Sequence, residues 1–258
     1  MDPSKCTEFS NRLLEAERER RPVGLLSAEA PDMTQADAYA IARQTMLTKG
    51  QRIAGYKLGF TSQAMRQQMG IDGPNHGYLL SQPSRDPSDS LRVFSDFIHP
   101  RVETEIALSI RRDIHEANLD GATIVPYVDC AYAAIEIVDT RYEDYKFRAV
   151  DNIADNSSSA SCLLGKPLSL SAAGDLRLVG ALLSSDGKQV DGGIGANAMG
   201  NPLAALAWLS NSLLARGDHL AEGMIVLTGG ITRAHAARAG QTFVAELQGM
   251  GCVYVHFS

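Results

Sequence analysis

Two glutamates stand two residues apart in Val102-Glu103-Thr104-Glu105-Ile106-Ala107-Leu108, a stretch that is otherwise largely apolar. Alternate residues of a strand leave from the same face, so this spacing sets the two carboxylates side by side. Burying two like charges is costly unless a cation compensates, and carboxylate oxygens suit a hard divalent ion, Mg2+ or Mn2+. On spacing alone, the solvent side of an edge strand is the better account of the pair. Glu136 shifts the balance. It lies in Ala131-Tyr132-Ala133-Ala134-Ile135-Glu136-Ile137-Val138, apolar on both sides, where a glutamate needs either a basic partner or a share in an ion. Three carboxylates in apolar strands point to one metal site with open positions.

Lys57 sits in Gly55-Tyr56-Lys57-Leu58-Gly59, between glycines and apolar residues. Beside a metal and an enolate, a lysine binds substrate charge or moves a proton; the plain alternative is a surface lysine with a buried stem. Residues 151–160, Asp-Asn-Ile-Ala-Asp-Asn-Ser-Ser-Ser-Ala, form a dense polar patch. It suits either a carboxylate or metal-bound water, or simply a turn with helix capping. Thr228-Gly229-Gly230-Ile231-Thr232 ends a strand on two glycines. Such a turn points backbone N–H groups at an anion, or is a plain bend. His76, His99, His115, His219, His235 and His256 show no metal-ligand spacing. There is no nucleophile-elbow or phosphate-loop motif, and Gly192-Gly193-Ile194-Gly195 lacks the strand-to-helix spacing of a dinucleotide site.

The elements that must position these groups follow from the rest of the chain. It has 258 residues, 45% apolar and 21% charged, with 24 basic and 30 acidic residues for a net charge of −6. That composition is of a globular protein; it excludes a disordered chain and gives no clustered basic surface for nucleic acid. No run approaches the roughly 18 apolar residues of a membrane span. Cys6, Cys130, Cys162 and Cys252 form no paired zinc motif, and Met1-Asp2-Pro3-Ser4-Lys5 has no apolar signal core behind it, which predicts a cytoplasmic protein with reduced thiols.

Periodicity predicts a helix over 7–21, stopped by Pro22, and a second from an N-cap at Thr34, backed by Asp37, to Lys49. Residues 1–50 thus read as a helical cap and 51–258 as a β-rich catalytic core. In the core, strands are expected over 53–60, 102–108, 135–138, 176–182 and 226–230. A short helix is expected over 62–69, a surface loop over 81–90, and a hairpin turn at Asp186-Gly187. Gly192, Gly193, Gly195 and Gly200 mark a loop, Asn201-Pro202 opens a helix to Arg216, and 242–247 with 253–257 make a terminal hairpin. Strands that are not regularly separated by helices predict an α+β architecture with a mixed β core.

Taken together, several words in the sequence resemble the fumarylacetoacetate hydrolase superfamily. They are Gly55-Tyr56-Lys57-Leu58-Gly59-Phe60-Thr61-Ser62, Pro100-Arg101-Val102-Glu103-Thr104-Glu105-Ile106, Ala134-Ile135-Glu136-Ile137-Val138-Asp139, Ile153-Ala154-Asp155-Asn156-Ser157-Ser158, Gly200-Asn201-Pro202 and Thr228-Gly229-Gly230. The branch they resemble contains 4-oxalocrotonate decarboxylases and 2-hydroxypentadienoate (2-oxopent-4-enoate) hydratases. The resemblance implies a β-rich roll behind an N-terminal helical part, and Mg2+ or Mn2+ held by Glu103, Glu105 and Glu136. It places Lys57 near the substrate, with contributions from Thr61, Ser62, Asp155 and Ser158. It also implies a homo-oligomer and association with a pathway hydratase or decarboxylase.

The branch turns on Pro74-Asn75-His76-Gly77. Hydratases of the family usually carry an Asp where Asn75 stands and the related decarboxylases an apolar residue, so Asn75 departs from both patterns; an amide cannot exchange a proton as a carboxyl does. His76 is the substitute acid that a hydratase would need. A decarboxylase needs instead a seat for a second carboxylate, for which Arg101, Lys57 and Ser157–Ser159 are candidates; Thr228 and Gly229 could hold an anionic end through the turn. The reading preferred is a metal-dependent lyase that decarboxylates 4-oxalocrotonate (2-oxohex-3-enedioate) to 2-hydroxypenta-2,4-dienoate in an aromatic meta-cleavage pathway. The alternatives are the hydratase, another hydrolase or tautomerase of the superfamily, and a non-catalytic partner subunit.

Overall fold

The computed structural model describes residues 1–62, 66, 71–80 and 89–258. The helix expected over 62–69 and the loop expected over 81–90 fall largely outside them. The first helix, α1 (Pro3–Glu19), starts ahead of its apolar periodicity because Asp2 caps it and Pro3 takes the first helical position. Arg20, left-handed at φ 50°, ends it. A single-turn helix, α2 (Leu26–Glu29), follows, and then α3 (Gln35–Thr48), which opens on the reciprocal Thr34–Asp37 capping box. These helices share an apolar cluster, containing Phe9, Leu13, Leu26, Ile41, Tyr142 and Ile153, with a later segment that includes helix α4 (Ala149–Ala154).

The remaining chain builds two sheets. The strands of the first are β1 (Gly55–Gly59), β2 (Asn75–Leu79), β4 (Arg101–Ile110), β5 (Val128–Val138), β6 (Ser159–Leu164), β9 (Ile225–Leu227) and β10 (His235–Ala236). Their order is β2-β1-β9-β4-β5-β6, with β10 added to one end of β4. The second sheet runs β3-β12-β11-β7-β8, from β3 (Leu91–Arg92), β12 (Gly251–Phe257), β11 (Thr242–Leu247), β7 (Gly180–Ser185) and β8 (Lys188–Ile194). Both sheets mix parallel and antiparallel pairs, as in β1 with β9 and β1 with β2. The described residues also include the single-turn helix α5 (Leu170–Ala173) and α6 (Pro202–Leu214), the latter with Asn201 as its cap.

The main core lies between the sheets. Val102, Ile106 and Leu108 of β4 and Ile135 and Ile137 of β5 meet Phe243, Ala245, Val255 and Phe257, joined by Leu206 and Leu209 of α6. Every second residue of β4 and β5 is therefore spent on this core, and the intervening residues face the other way.

Two expectations are corrected. Residues 176–178 form a 3-10 turn rather than the start of a strand, because the Asp175 carboxylate accepts from the Arg177 N–H and tightens the backbone; β7 begins at Gly180. Gly192 and Gly193 are not in a loop but pair inside β8 with Leu182 and Ala181. Gly193 is needed there because a Cβ would run into the Ile231 carbonyl.

Candidate active site

The outward face of the first sheet collects the groups singled out from the sequence. Glu103 pairs directly with Glu136 across β4 and β5, and Glu105 lies two pairs along, opposite Ala134. Cross-strand partners share a face, so the three carboxylates converge, each with an oxygen within 4.8 Å of the others. Lys57 reaches the same face by another route. It pairs with Leu227 of β9, which pairs with Ala107 of β4, two residues from Glu105. Its Nζ lies 3.1 Å from Glu136 Oε2 and donates to the Ser157 carbonyl at 3.1 Å. Apolar Leu79, Ala107, Ala134, Leu164 and Leu227 form a buried cluster; Glu105 and Glu136 are buried, and Glu103 is half-buried.

The charges are poorly satisfied by the protein alone. Glu105 Oε2 accepts from the Gly229 N–H at 2.7 Å, but Glu105 Oε1 and both oxygens of Glu136 are buried without a hydrogen bond of ordinary geometry. Burial pushes Glu103 up to about 7, and the neighbouring Glu136 adds to it against the pull of Lys57 and Arg101. Burial also drives Glu105 well above the carboxylate range, helped by Glu136 and Glu103, and raises Glu136 despite Lys57. For Lys57 burial works toward deprotonation, yet Glu136, Glu103 and Glu105 outweigh it and hold the ammonium protonated. Three carboxylates and one ammonium leave two net negative charges, which a single divalent cation would neutralise. The orphaned oxygens, their hard chemistry and that charge balance fit a Mg2+-type ion.

A pH dependence follows. The ordinary carboxyl value is 4.5, and Glu103 titrates near 7 in the fold. A raised carboxyl pKa makes the ion-free fold lose stability as pH rises from the unfolded value through the folded one. An ion competes with protons for the same oxygens. The melting temperature without ions should fall between about pH 5 and pH 8, and the increment from Mg2+ should grow over that window. An increment that does not change with pH would remove the carboxylates as its ligands.

The structure separates the remaining candidates. Asn75 pairs with Gly59 and shares the face of Lys57; its carbonyl accepts from Ser157 Oγ at 2.9 Å, and its Nδ2 donates to Asn152 Oδ1 at 2.8 Å. Asn152 in turn donates to Ser158 Oγ at 3.0 Å. Lys57, Ser157, Asn75, Asn152 and Ser158 are thus one buried chain of polar contacts. Asn156, Ser157 and Ser158 all take positive φ, between 52° and 57°, and Asn156 bonds both backbone groups of Tyr78 along β2. Gly77 permits that approach, since a Cβ there would strike the Asn156 carbonyl.

His76 is a correction. It pairs with Leu58, on the opposite face of the sheet from Lys57, and stacks on Tyr39 at 4.5 Å between ring centroids. Burial, with Arg216 nearby, holds its pKa down to about 3. It is a neutral packing group facing away from the carboxylates. Replacing His76 with Ala should lower stability by about 1–3 kcal/mol while turnover per folded molecule is kept, because only packing is lost. Chemical denaturation run beside steady-state assays checks this, and a collapse of turnover in the folded variant would return His76 to the chemistry.

Asp155 is a second correction. Both its oxygens are taken: it pairs with the buried Arg141 guanidinium, accepts from Thr140 Oγ1 at 2.8 Å and accepts from the Arg141 N–H. A carboxylate so saturated anchors the strained 156–158 turn rather than moving protons. Thr228 is a third: its hydroxyl donates back to the Ile106 carbonyl at 2.8 Å, inside the sheet. The glycine turn does hold an anion, but that anion is Glu105. Gly229 has φ 112° and lies against Thr61, whose side chain leaves no room for a Cβ. Thr61 is buried, while Ser62 is half-buried on the segment that follows. Arg101 shares the face of Glu103 and Glu105, and its guanidinium lies 3.8 Å from the ring centroid of Tyr145. It is partly exposed, which places a planar cation at the rim. Asn152 and Arg141 were missed as positioning residues. Asn75 lies 77 residues from Asn152, and the pairing of Arg141 with Asp155 depends on how the intervening segment folds back.

Comparisons with known proteins show the family of the chain. A family model described as fumarylacetoacetate (FAA) hydrolase C-terminal matches residues 61–257. The chain is 34% identical over 245 residues to a 4-oxalocrotonate decarboxylase of Pseudomonas putida, covering 94% of this chain and 92% of that one. It is 35% identical over 260 residues to a 2-keto-4-pentenoate hydratase of Burkholderia vietnamiensis, covering 100% and 99%. Among solved structures, the 4-oxalocrotonate decarboxylase from Pseudomonas putida G7 complexed with magnesium and adipate superposes with a TM-score of 0.93 at 31% identity, over 100% of this chain and 99% of that one.

Proposed function

We propose, for a chain that belongs to the fumarylacetoacetate hydrolase family, that it is a divalent-metal-dependent lyase decarboxylating 4-oxalocrotonate to 2-hydroxypenta-2,4-dienoate. The observation that carries the choice is at residues 75 and 76. The position beside Lys57 holds an amide locked between Ser157 and Asn152, and the adjacent imidazole faces away. That arrangement lacks the carboxyl acid a hydratase would use there, whereas loss of CO2 needs none. The similar identity to a hydratase keeps hydration of 2-hydroxypenta-2,4-dienoate as the second reading.

Glu103, Glu105 and Glu136 would hold Mg2+ or Mn2+, which supplies a Lewis acid for a 2-oxo acid's carboxylate and oxo group. The protein's own groups do the rest. Gly229 fixes the rotamer of Glu105 by its N–H bond. Lys57 places a fixed positive charge beside the carboxylates, itself buried against Glu136. Arg101, stacked on Tyr145 at the rim, is the best-placed cation for the carboxylate that leaves. When the C–C bond to that carboxylate breaks, its electron pair enters the conjugated system, CO2 departs, and the resulting enolate oxygen takes up one proton to give the 2-hydroxy diene. The polar chain from Ser157 to Ser158 keeps Lys57 aimed.

The intact carboxylate set argues against a non-catalytic partner subunit, and Mg2+ titration tests that. We further infer a cytoplasmic homo-oligomer. None of its four cysteines is in a disulfide, and among the described residues no helix is long and apolar enough to cross a membrane. Leu178, Leu182, Val190 and Ile194 stand exposed on and beside β7 and β8, an apolar surface suited to a second copy. Product analysis decides the reaction. With Mg2+, 2-oxohex-3-enedioate should release CO2, and 2-hydroxypenta-2,4-dienoate should take up little water. Robust hydration without CO2 release would overturn the assignment in favour of the hydratase.

A further inference from the structure

Far from the carboxylates, Asp113, His115 and His219 bring one ligand atom each within 4.8 Å of one another. We propose that these three side chains form a second metal site, selective for a borderline transition ion such as Zn2+, Ni2+ or Co2+, which pins the end of β4 to the segment that leads into β9. The sequence conceals it, because His219 lies far along the chain from the other two.

The backbone builds the site. Beyond β4 the chain returns to pair Ile114 with Leu220, and the Ile114 N–H donates to the Leu220 carbonyl at 2.9 Å. Ile114 and Leu220 are both fully buried, so the neighbouring Asp113, His115 and His219 are turned outward by strand alternation. The two imidazoles come to 4.4 Å between centroids. Asp113 uses Oδ1 to accept from the Glu222 N–H at 2.8 Å, which fixes the carboxylate. Its Oδ2 lies 4.0 Å from His219 Nε2. The donor set differs in kind from the three glutamates. Two imidazoles and one carboxylate favour zinc-like ions, whereas an all-oxygen set favours Mg2+. His115 and Asp113 are exposed, so the remaining coordination positions would open to water or to an outside ligand.

The consequence is stability rather than chemistry. The ion would tie together the outer ends of β4, which carries Glu103 and Glu105, and of the chain that enters β9 and then Gly229. The test uses the tag-free full-length protein with Mg2+ in saturating excess, titrated with Zn2+ against a chromophoric chelator. One zinc per chain should bind and not be displaced by Mg2+. His115→Ala and His219→Ala should each weaken it by roughly a hundredfold, with decarboxylase activity unchanged. Zinc should raise the parent's melting temperature by about 5 °C and leave those of the two variants in place. Glu105→Gln and Cys252→Ser should retain the zinc. Zinc binding that survives both histidine variants, or that is lost with Glu105→Gln or Cys252→Ser instead, would overturn the proposal.

Discussion

Glu105→Gln should lower turnover and Mg2+ affinity by about two to three orders of magnitude each, while the ion-free protein becomes no less stable than the parent. The reasoning begins with its two oxygens. Oε2 is held by the Gly229 N–H, and Oε1 is buried with no hydrogen-bond partner. A carboxylate left half-satisfied at the centre of an apolar face has one oxygen reserved for an ion. Glutamine keeps the shape but removes the charge and turns one of those atoms into a donor. The repulsion that Glu136 and Glu103 exert on Glu105 then also falls, so the melting temperature in the presence of a chelator should hold or rise. That opposite movement separates a ligand from a structural residue, whose loss would lower stability and activity together. Calorimetric Mg2+ titration, turnover and thermal melting are measured on one preparation. Near-normal turnover in Glu105→Gln would end the metal assignment.

Lys57→Ala should cut kcat by roughly a hundredfold or more, with Mg2+ binding kept. Lys57 is buried between the Ser157 carbonyl and Glu136, and no other ammonium stands in the carboxylate cluster among the described residues. Removing it leaves three negative charges facing one another. The ion-free variant should therefore melt earlier than the parent, and Mg2+ should restore more stability to it than to the parent. The charge that steadies substrate anions would be gone whatever the ion does, so the defect should fall on kcat more than on metal affinity. Turnover close to that of the parent at saturating Mg2+ would make Lys57 a peripheral group. Loss of Mg2+ binding with unchanged kcat per bound ion would make it a positioning group for Glu136.

What could be read from the chain was what depends on neighbours in sequence. The shared face of Glu103 and Glu105 follows from the two-residue period of a strand, and the α3 cap from Thr34 and Asp37 three residues apart. The turn at Asp186-Gly187 and the start of α6 at Asn201-Pro202 are equally local. Even the carboxylate reading of Glu136 rests on its own apolar run.

Register and crossover lay beyond reach, because they are set by which strands pair after collapse. No strand was expected over 75–79, so nothing local showed which of Asn75 and His76 would face Lys57. The pairing of Lys57 with Gly77 decided that and removed the imidazole from the chemistry. Asp155 looked like a candidate acid until Arg141 and Thr140 were brought to it, and Thr228 looked like an anion ligand until its hydroxyl turned into the sheet. By itself the sequence determined the residue types of the site and the local geometry of its strands, since backbone periodicity and capping act over a few residues. Only the tertiary structure decided which polar groups remain unsatisfied on the catalytic face, because a buried group's partners are supplied by segments a hundred residues away, as Ser157 is for Lys57.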